Sequence, residues 1–208
     1  FIGSDVFVDQ HLIARGRFAR MLPAMIKANY KLGLGIDENT AMVVTPNRNV
    51  EIIGDSGAIL VDLKEATINN ALTDFNLSNA RISYLDNGDN YNIDTGAITP
   101  SLERIPNQLG VNVKKPDQHG TLFFSDILGR GHLTALMENL MDSEKSEARG
   151  IAFGGPDEPK PYLGFEFKFS KTPETITYVS KSGDAYSMYQ IRLDVNPIDM
   201  PQKLYKYK

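Results

Sequence analysis

The first forty residues alternate strand-like and helix-like patterning, and this order narrows the fold more than any other feature of the chain. Val6–Asp9 is a short β-rich run that ends in the polar cluster Asp9, Gln10, His11. Residues 12–29 then repeat apolar side chains at helical spacing, with Ala14, Phe18, Met21, Leu22 and Met25 on one face. Pro23 sits inside that stretch and predicts a kink or break near its middle. Two further β-type runs follow, at 32–36 and 41–45. In an open α/β sheet the carboxyl ends of the strands converge on the ligand crevice. The ends of the runs at 6–9 and 32–36 are therefore the places to look for chemistry.

Two polar clusters stand there. One is Asp9-Gln10-His11 with Arg15, Arg17 and Arg20 behind it, and the other is Asp37-Glu38 after LGLGI. Brought together, His11 and Glu38 make a base and its orienting acid, two thirds of a nucleophile–base–acid triad. The residues alone leave a plainer reading open, in which His11 is a structural histidine at a helix start. The arginines divide in the same way. They are a solvated helix face, or they select an anionic group, since guanidinium grips carboxylate through a two-pronged contact. An ideal helix from His11 sets Arg15 near His11 and sends Arg17 and Arg20 elsewhere, so the three do not form one stripe.

Composition closes other routes. The 208 residues contain no cysteine, which removes disulfides, thiolate metal sites and cysteine nucleophiles together, and leaves the compartment open between cytoplasm and exterior. The three histidines, His11, His119 and His132, show no metal-ligand spacing, so neither a metal nor another cofactor is expected. His119 and His132 read as ordinary surface or core residues. A net charge of −4 argues against nucleic acid as a partner. No apolar run approaches the roughly 18–20 residues of a membrane span, so no membrane partner is expected.

Further along, VEIIGDSGAILVDL reads as two strands joined by a tight turn at Asp55-Ser56-Gly57, and residues 80–85 as another strand before the turn at 87–89. Residues 94–118 are rich in Pro, Asn, Gly and Thr and look like a linker. Residues 121–147 form a second helical region, with Leu133, Leu136, Met137, Leu140 and Met141 in register. The stretch from 163 to 195 alternates like an antiparallel meander, with Phe165, Phe167 and Phe169 on one face. The basic, aromatic tail KLYKYK reads as a frayed terminus.

The segment from Asp9 to Arg20, the sequence GIDENTA from Gly35, and SYLDNGDNYNI at 83–93 resemble, in order and in spacing, three motifs of the cyanophycinases. These are serine exopeptidases grouped with peptidase E, the α-aspartyl dipeptidase. The resemblance covers roughly residues 1–100. It implies that His11 is the general base and Glu38 its orienting acid, and that Asp9, Gln10, Arg15, Arg17 and Arg20 line the substrate pocket. It implies as substrate the polymer cyanophycin, a poly-aspartate carrying arginine on its β-carboxyls, cleaved to β-aspartyl-arginine. A dipeptidase acting on α-aspartyl or isoaspartyl peptides is the alternative within the class. A catalytically inactive relative that binds acidic peptides or serves as a scaffold is the alternative outside it.

The family's nucleophile lies on a G-x-S-A-G elbow, and this sequence has none. Ser4 and Ser56 lack that context. The chain opens at Phe1 as a strand already under way, so an N-terminal portion of the same precursor is expected to supply the serine and to complete the sheet. The expected class is α/β, a three-layer sandwich with a mostly parallel sheet of the class I glutamine-amidotransferase-like kind and a C-terminal antiparallel β extension. Residues 1–105 are expected to be the C-terminal part of the peptidase domain. Residues 106–208 are the extension with helix and meander, which either caps the sheet or widens a homodimer surface.

Overall fold

The computed structural model describes residues 2–106, 120–155, 157–183 and 185–200. Along the chain run β1 (Val6–Gln10), α1 (Phe18–Lys27), β2 (Leu32–Ile36), β3 (Thr40–Val44), β4 (Asn49–Gly54), β5 (Ala58–Asp62), β6 (Leu77–Leu85), β7 (Asn90–Asn92) and β8 (Ile98–Thr99). They are followed by β9 (Arg104–Pro106), β10 (Phe123–Phe124), α2 (His132–Met141), β11 (Glu147–Phe153), β12 (Leu163–Ser170), β13 (Ile176–Ser180) and β14 (Tyr186–Asp199). The main sheet has the order β1-β2-β5-β6-β14-β12-β11-β10, with β13 on β14 and β9 on β13. A smaller sheet has the order β3-β4-β7-β8.

The result is an α/β architecture of three layers. Both helices pack on one face of the main sheet, where Phe18, Met21, Leu22 and Met25 of α1 and Leu133, Leu136, Met137 and Leu140 of α2 join one apolar cluster. The smaller sheet covers the other face through Val50, Ile52 and Tyr91. Strand β5 shows why both faces must be covered. Its Ile59 and Val61 enter the helix-side cluster, while Ala58 and Leu60 enter the other, so the strand is apolar at every position but its last. At about 1.5–3 kcal/mol for each fully buried large apolar side chain, these two clusters are the main favourable contribution to folding.

The sheet is mixed, and its parallel pairs lie at its two ends. β1 pairs with β2 in parallel from Val6↔Leu32 to Gln10↔Ile36, and β10 pairs with β11 likewise; the pairs between are antiparallel. β1 and β2 are parallel because α1 carries the chain back between them. β6 pairs with β14, and Phe18 meets Phe167 edge to face at 5.3 Å. The first and second halves of the chain thus share a sheet and a core, and β9 crosses position 105.

The alternation in LGLGI explains how close α1 sits. Leu32 and Leu34 point to the smaller sheet, whereas a Cβ at Gly33 would overlap Met21 and Met25, and one at Gly35 would overlap Leu12. Leu12 and α1 can approach the strand only because those side chains are missing. α1 ends where Asn29 turns left-handed at φ 59° and the Tyr30 N–H bonds the Met25 carbonyl.

Several local expectations need correction. The first helix begins at Phe18, not near Leu12, and it runs through Pro23, whose ring lies on the exposed side. Residues 12–17 are turns, since Gly16 adopts φ 57° against the Leu128 carbonyl. The turn at Asp55-Ser56-Gly57 does not close a hairpin: β4 belongs to the smaller sheet and β5 to the main one, so it is a corner between layers. The second helix covers only 132–141, because residues 123–124 pair with β11 and Gly131 at φ 72° precedes the helix. The linker at 94–118 contains β8 and β9. Residues 107–118 of that linker, His119 and the tail KLYKYK lie outside the described residues. His132 opens α2, with its ring against Phe124 and its Nδ1 on the Asp126 carbonyl. No helix among the described residues is long and apolar enough to cross a membrane.

Candidate active site

Parallel pairing of β1 with β2 brings their carboxyl ends side by side: Asp9 lies opposite Gly35, and Gln10 opposite Ile36. The next residues on each chain, His11 and Asp37-Glu38, therefore emerge at the same place. The Leu12 N–H bonds the Ile36 carbonyl at 3.3 Å, which continues the pairing one step beyond the strands.

His11 leaves β1 in the left-handed region at φ 52°. That conformation is uncommon for a residue with a Cβ, and it turns the ring toward β2 rather than along the strand. Its Nδ1 lies 3.4 Å from Glu38 Oε1. This is a close ion-pair approach rather than a formed hydrogen bond, for Nδ1 is buried without a hydrogen-bond partner. Catalytic hydrogen bonds are commonly this loose before substrate binds. The side chain as a whole is 38 % exposed, so its accessible surface lies away from Nδ1, on the part of the ring that includes Nε2.

The arginines gather around the same strand ends. Arg15 Nε stands 3.5 Å from Glu38 Oε1, the oxygen that also faces His11. Arg17 donates to the Gln10 carbonyl at 3.4 Å. Arg20 holds Asp9 through two bonds, Nε to Oδ2 at 3.1 Å and the terminal nitrogen to Oδ1 at 2.6 Å. Burial raises the Asp9 carboxyl pKa, but the Arg20 hydrogen bonds, the Gln10 N–H and the nearby positive charges outweigh that and leave it below the ordinary carboxylate value. The convergence of the three guanidinium groups departs from the ideal-helix expectation. It follows from residues 12–17 being turns.

All seven residues singled out from the sequence, Asp9, Gln10, His11, Arg15, Arg17, Arg20 and Glu38, thus lie at the ends of β1 and β2 or on the segment between them. Asp37 adds a function that was not anticipated. Its Oδ1 accepts the Ala14 N–H at 3.1 Å, tying the arginine-bearing turn to the end of β2. The available signal was a second carboxylate at a strand end facing a segment with unpaired backbone donors. Among the described residues no serine or threonine hydroxyl bonds to His11, and no cluster of three or more His, Asp or Glu is placed to hold a metal ion.

No protein-family model matches the chain. Curated relatives do. A cyanophycinase of Geminocystis herdmanii is 36% identical over 96 residues, covering 44% of this chain and 35% of that protein. One of Synechococcus elongatus is 35% identical over 96 residues, with 44% and 30% covered, and one of Trichormus variabilis 30% over 106 residues, with 49% and 36% covered. Over that stretch the chain is cyanophycinase-like. It spans about a third of the length of these relatives, and the cyanophycinase-like part accounts for less than half of the chain.

Proposed function

We propose that this chain carries the base and acid of a cyanophycinase-like serine peptidase, with the nucleophile supplied by an N-terminal portion of the same precursor. The observation that carries the reading is the His11–Glu38 arrangement: a buried Nδ1 facing a carboxylate, on a ring whose other side is open. In that arrangement Glu38 keeps the Nδ1 proton and orients the ring, leaving Nε2 as the acceptor. The serine Oγ–H proton passes to Nε2 as Oγ bonds to the scissile carbonyl carbon. The imidazolium, stabilised by Glu38, then gives that proton to the departing amine nitrogen as the C–N bond breaks. Water repeats the sequence to release the acyl group and restore the serine.

The substrate is cyanophycin and the product β-aspartyl-arginine. Arg17 suits an aspartate carboxylate of the polymer, and the paired Asp9–Arg20 offers both signs to a substrate that carries both. The test is release of β-aspartyl-arginine from cyanophycin by the complete protein. His11→Ala should lower turnover by several orders of magnitude with the fold intact, and Glu38→Gln should also slow it by weakening the tautomer and the imidazolium. Unchanged rates in either variant would refute the assignment. Cleavage of α-aspartyl dipeptides in place of the polymer would assign the dipeptidase activity. Binding of acidic peptides with no cleavage of either would assign a binding module.

A further inference from the structure

Glu38 stands between two partners and has closed on neither. Its Oε1 lies 3.4 Å from His11 Nδ1 and 3.5 Å from Arg15 Nε, both longer than the roughly 2.7–2.9 Å of a charge-assisted hydrogen bond. Nδ1 is thereby left buried and without a partner. Open contacts are not the rule at these strand ends, for Arg20 closes on Asp9 at 2.6 Å. A carboxylate held back from a buried ring nitrogen needs a competing attraction, and Arg15 supplies it.

The competition is unequal. A guanidinium is always charged, whereas an imidazole that acts as a base is neutral and offers Glu38 only an N–H dipole. The backbone lets the side chains exchange partners without moving itself. Asp37 Oδ1 accepts the Ala14 N–H at 3.1 Å, the Leu12 N–H bonds the Ile36 carbonyl at 3.3 Å, and Thr40 Oγ1 donates to the Glu38 carbonyl at 3.1 Å. The side chains of His11, Arg15 and Glu38 are 38, 53 and 42 % exposed, so each has room to rotate. Closing Oε1 onto Nδ1 asks for a shift of roughly 0.5–0.7 Å, within reach of a small torsional change.

Arg15 faces Glu38 with its inner nitrogen, Nε, which leaves the two terminal nitrogens for a two-pronged contact with another carboxylate. Such a ligand gives Arg15 the anion it otherwise takes from Glu38. Glu38 then turns to His11, fixes the proton on Nδ1 and leaves Nε2 as the acceptor. Without that bond a neutral imidazole also populates the form protonated at Nε2, which cannot take a proton there.

We infer that Arg15 is a positioning residue that couples the site to its ligand: an anionic group bound to Arg15 releases Glu38 to complete the pair with His11. The inference rests on the peptidase reading only in taking His11 as the base. The coupling itself is read without cleavage, from the ring nitrogens of His11 in the full chain by ¹⁵N NMR at pH 8, where imidazole is ordinarily neutral. The chain has three histidines, and a His11→Gln spectrum assigns the signal. Succinate is the probe, and uncharged succinamide is its control. Succinate should raise the ratio of the Nδ1–H to the Nε2–H form at least about fivefold, the low end of ordinary coupling between sites, and succinamide should leave it unchanged. In Arg15→Ala the Nδ1–H form should dominate without succinate and ignore its addition. Arg15→Lys returns the charge and should return toward the wild-type pattern, and unchanged melting temperatures verify both folds. Dominance of the Nδ1–H form in the wild type without succinate, no response to succinate, or an Arg15→Ala spectrum like the wild type would each overturn the inference. In the complete protein, succinate should stimulate cleavage of p-nitrophenyl acetate, which carries no carboxylate, and Arg15→Ala should cleave it faster than unstimulated wild type. Cleavage of cyanophycin with a His11 signal that never responds overturns the coupling and leaves the peptidase standing. The succinate response without cleavage of any substrate does the reverse.

Discussion

Replacing Gly16 by alanine tests whether the arginine-bearing turn is held as described. Gly16 has φ 57°, and a Cβ there would overlap the Leu128 carbonyl, its oxygen first and then its carbon at 2.8 Å. Holding a residue with a Cβ in the left-handed region costs about 1–2 kcal/mol. Overpacking against a rigid neighbour adds about 1–3 kcal/mol, and here the neighbour is backbone, which cannot rotate away. The total of about 2–5 kcal/mol corresponds to a fall in melting temperature of roughly 5–15 °C for a chain of this size. Gly96→Ala supplies the control, because Gly96 has φ 73° with nothing within 4 Å of its absent Cβ. That variant bears only the conformational part, partly offset by a stiffer unfolded chain, and should lose only about 2–4 °C. Thermal unfolding followed by circular dichroism compares the two directly. Equal shifts, or a Gly16→Ala variant within about 2 °C of wild type, would show that the turn does not rest on Leu128.

The Asp9–Arg20 contact has a pH signature. The folded-state pKa of Asp9 is lowered, so its contribution to stability is fully present above the unfolded value of about 3.9 and is lost as pH falls through the lower folded value. Urea unfolding of Asp9→Asn and wild type should accordingly differ at pH 7 and converge on the acid side of about pH 4; a constant gap would contradict the pairing. Arg20→Ala should reduce kcat/KM on cyanophycin about 10- to 150-fold by removing a charged contact and freeing Asp9. Arg20→Lys should recover only part of that, since lysine returns the charge but not the two-pronged geometry; full recovery would show that charge alone matters.

The sequence patterning located the β1-α1-β2 unit because its apolar spacing switches period cleanly, and the leucines and glycines of LGLGI sort to opposite faces as a period of two requires. It could not locate the corner at 55–57. A turn sequence states that the chain reverses or bends, not which sheet each arm joins, and here β4 and β5 part company. The same holds for the second helix. Its apolar residues were placed correctly on the core side, but its length was overestimated, because the pairing of 123–124 with β11 is a long-range contact with no local signal. The smaller sheet as a third layer was likewise hidden, since β3 alternates half-buried and exposed positions as any half-covered strand would.

At the candidate site, the meeting of two strand ends was legible in the sequence, whereas the path of the segment between them was not. His11 and Glu38 could be paired in advance because carboxyl ends of adjacent strands meet, and the parallel register of β1 with β2 places them so. The arginines resisted the same treatment, because continuing a helix back to His11 scatters them over the helix surface. A left-handed glycine at 16, wedged against a carbonyl that arrives from more than a hundred residues later, ends that helix at Phe18. Once residues 12–17 are turns, Asp37 can tether them through Ala14, and Arg15, Arg17 and Arg20 reach Glu38, the Gln10 carbonyl and Asp9 in turn. The tertiary contact that shortens the helix is therefore also what assembles the charged site, and the second half of the chain takes part in it through Leu128.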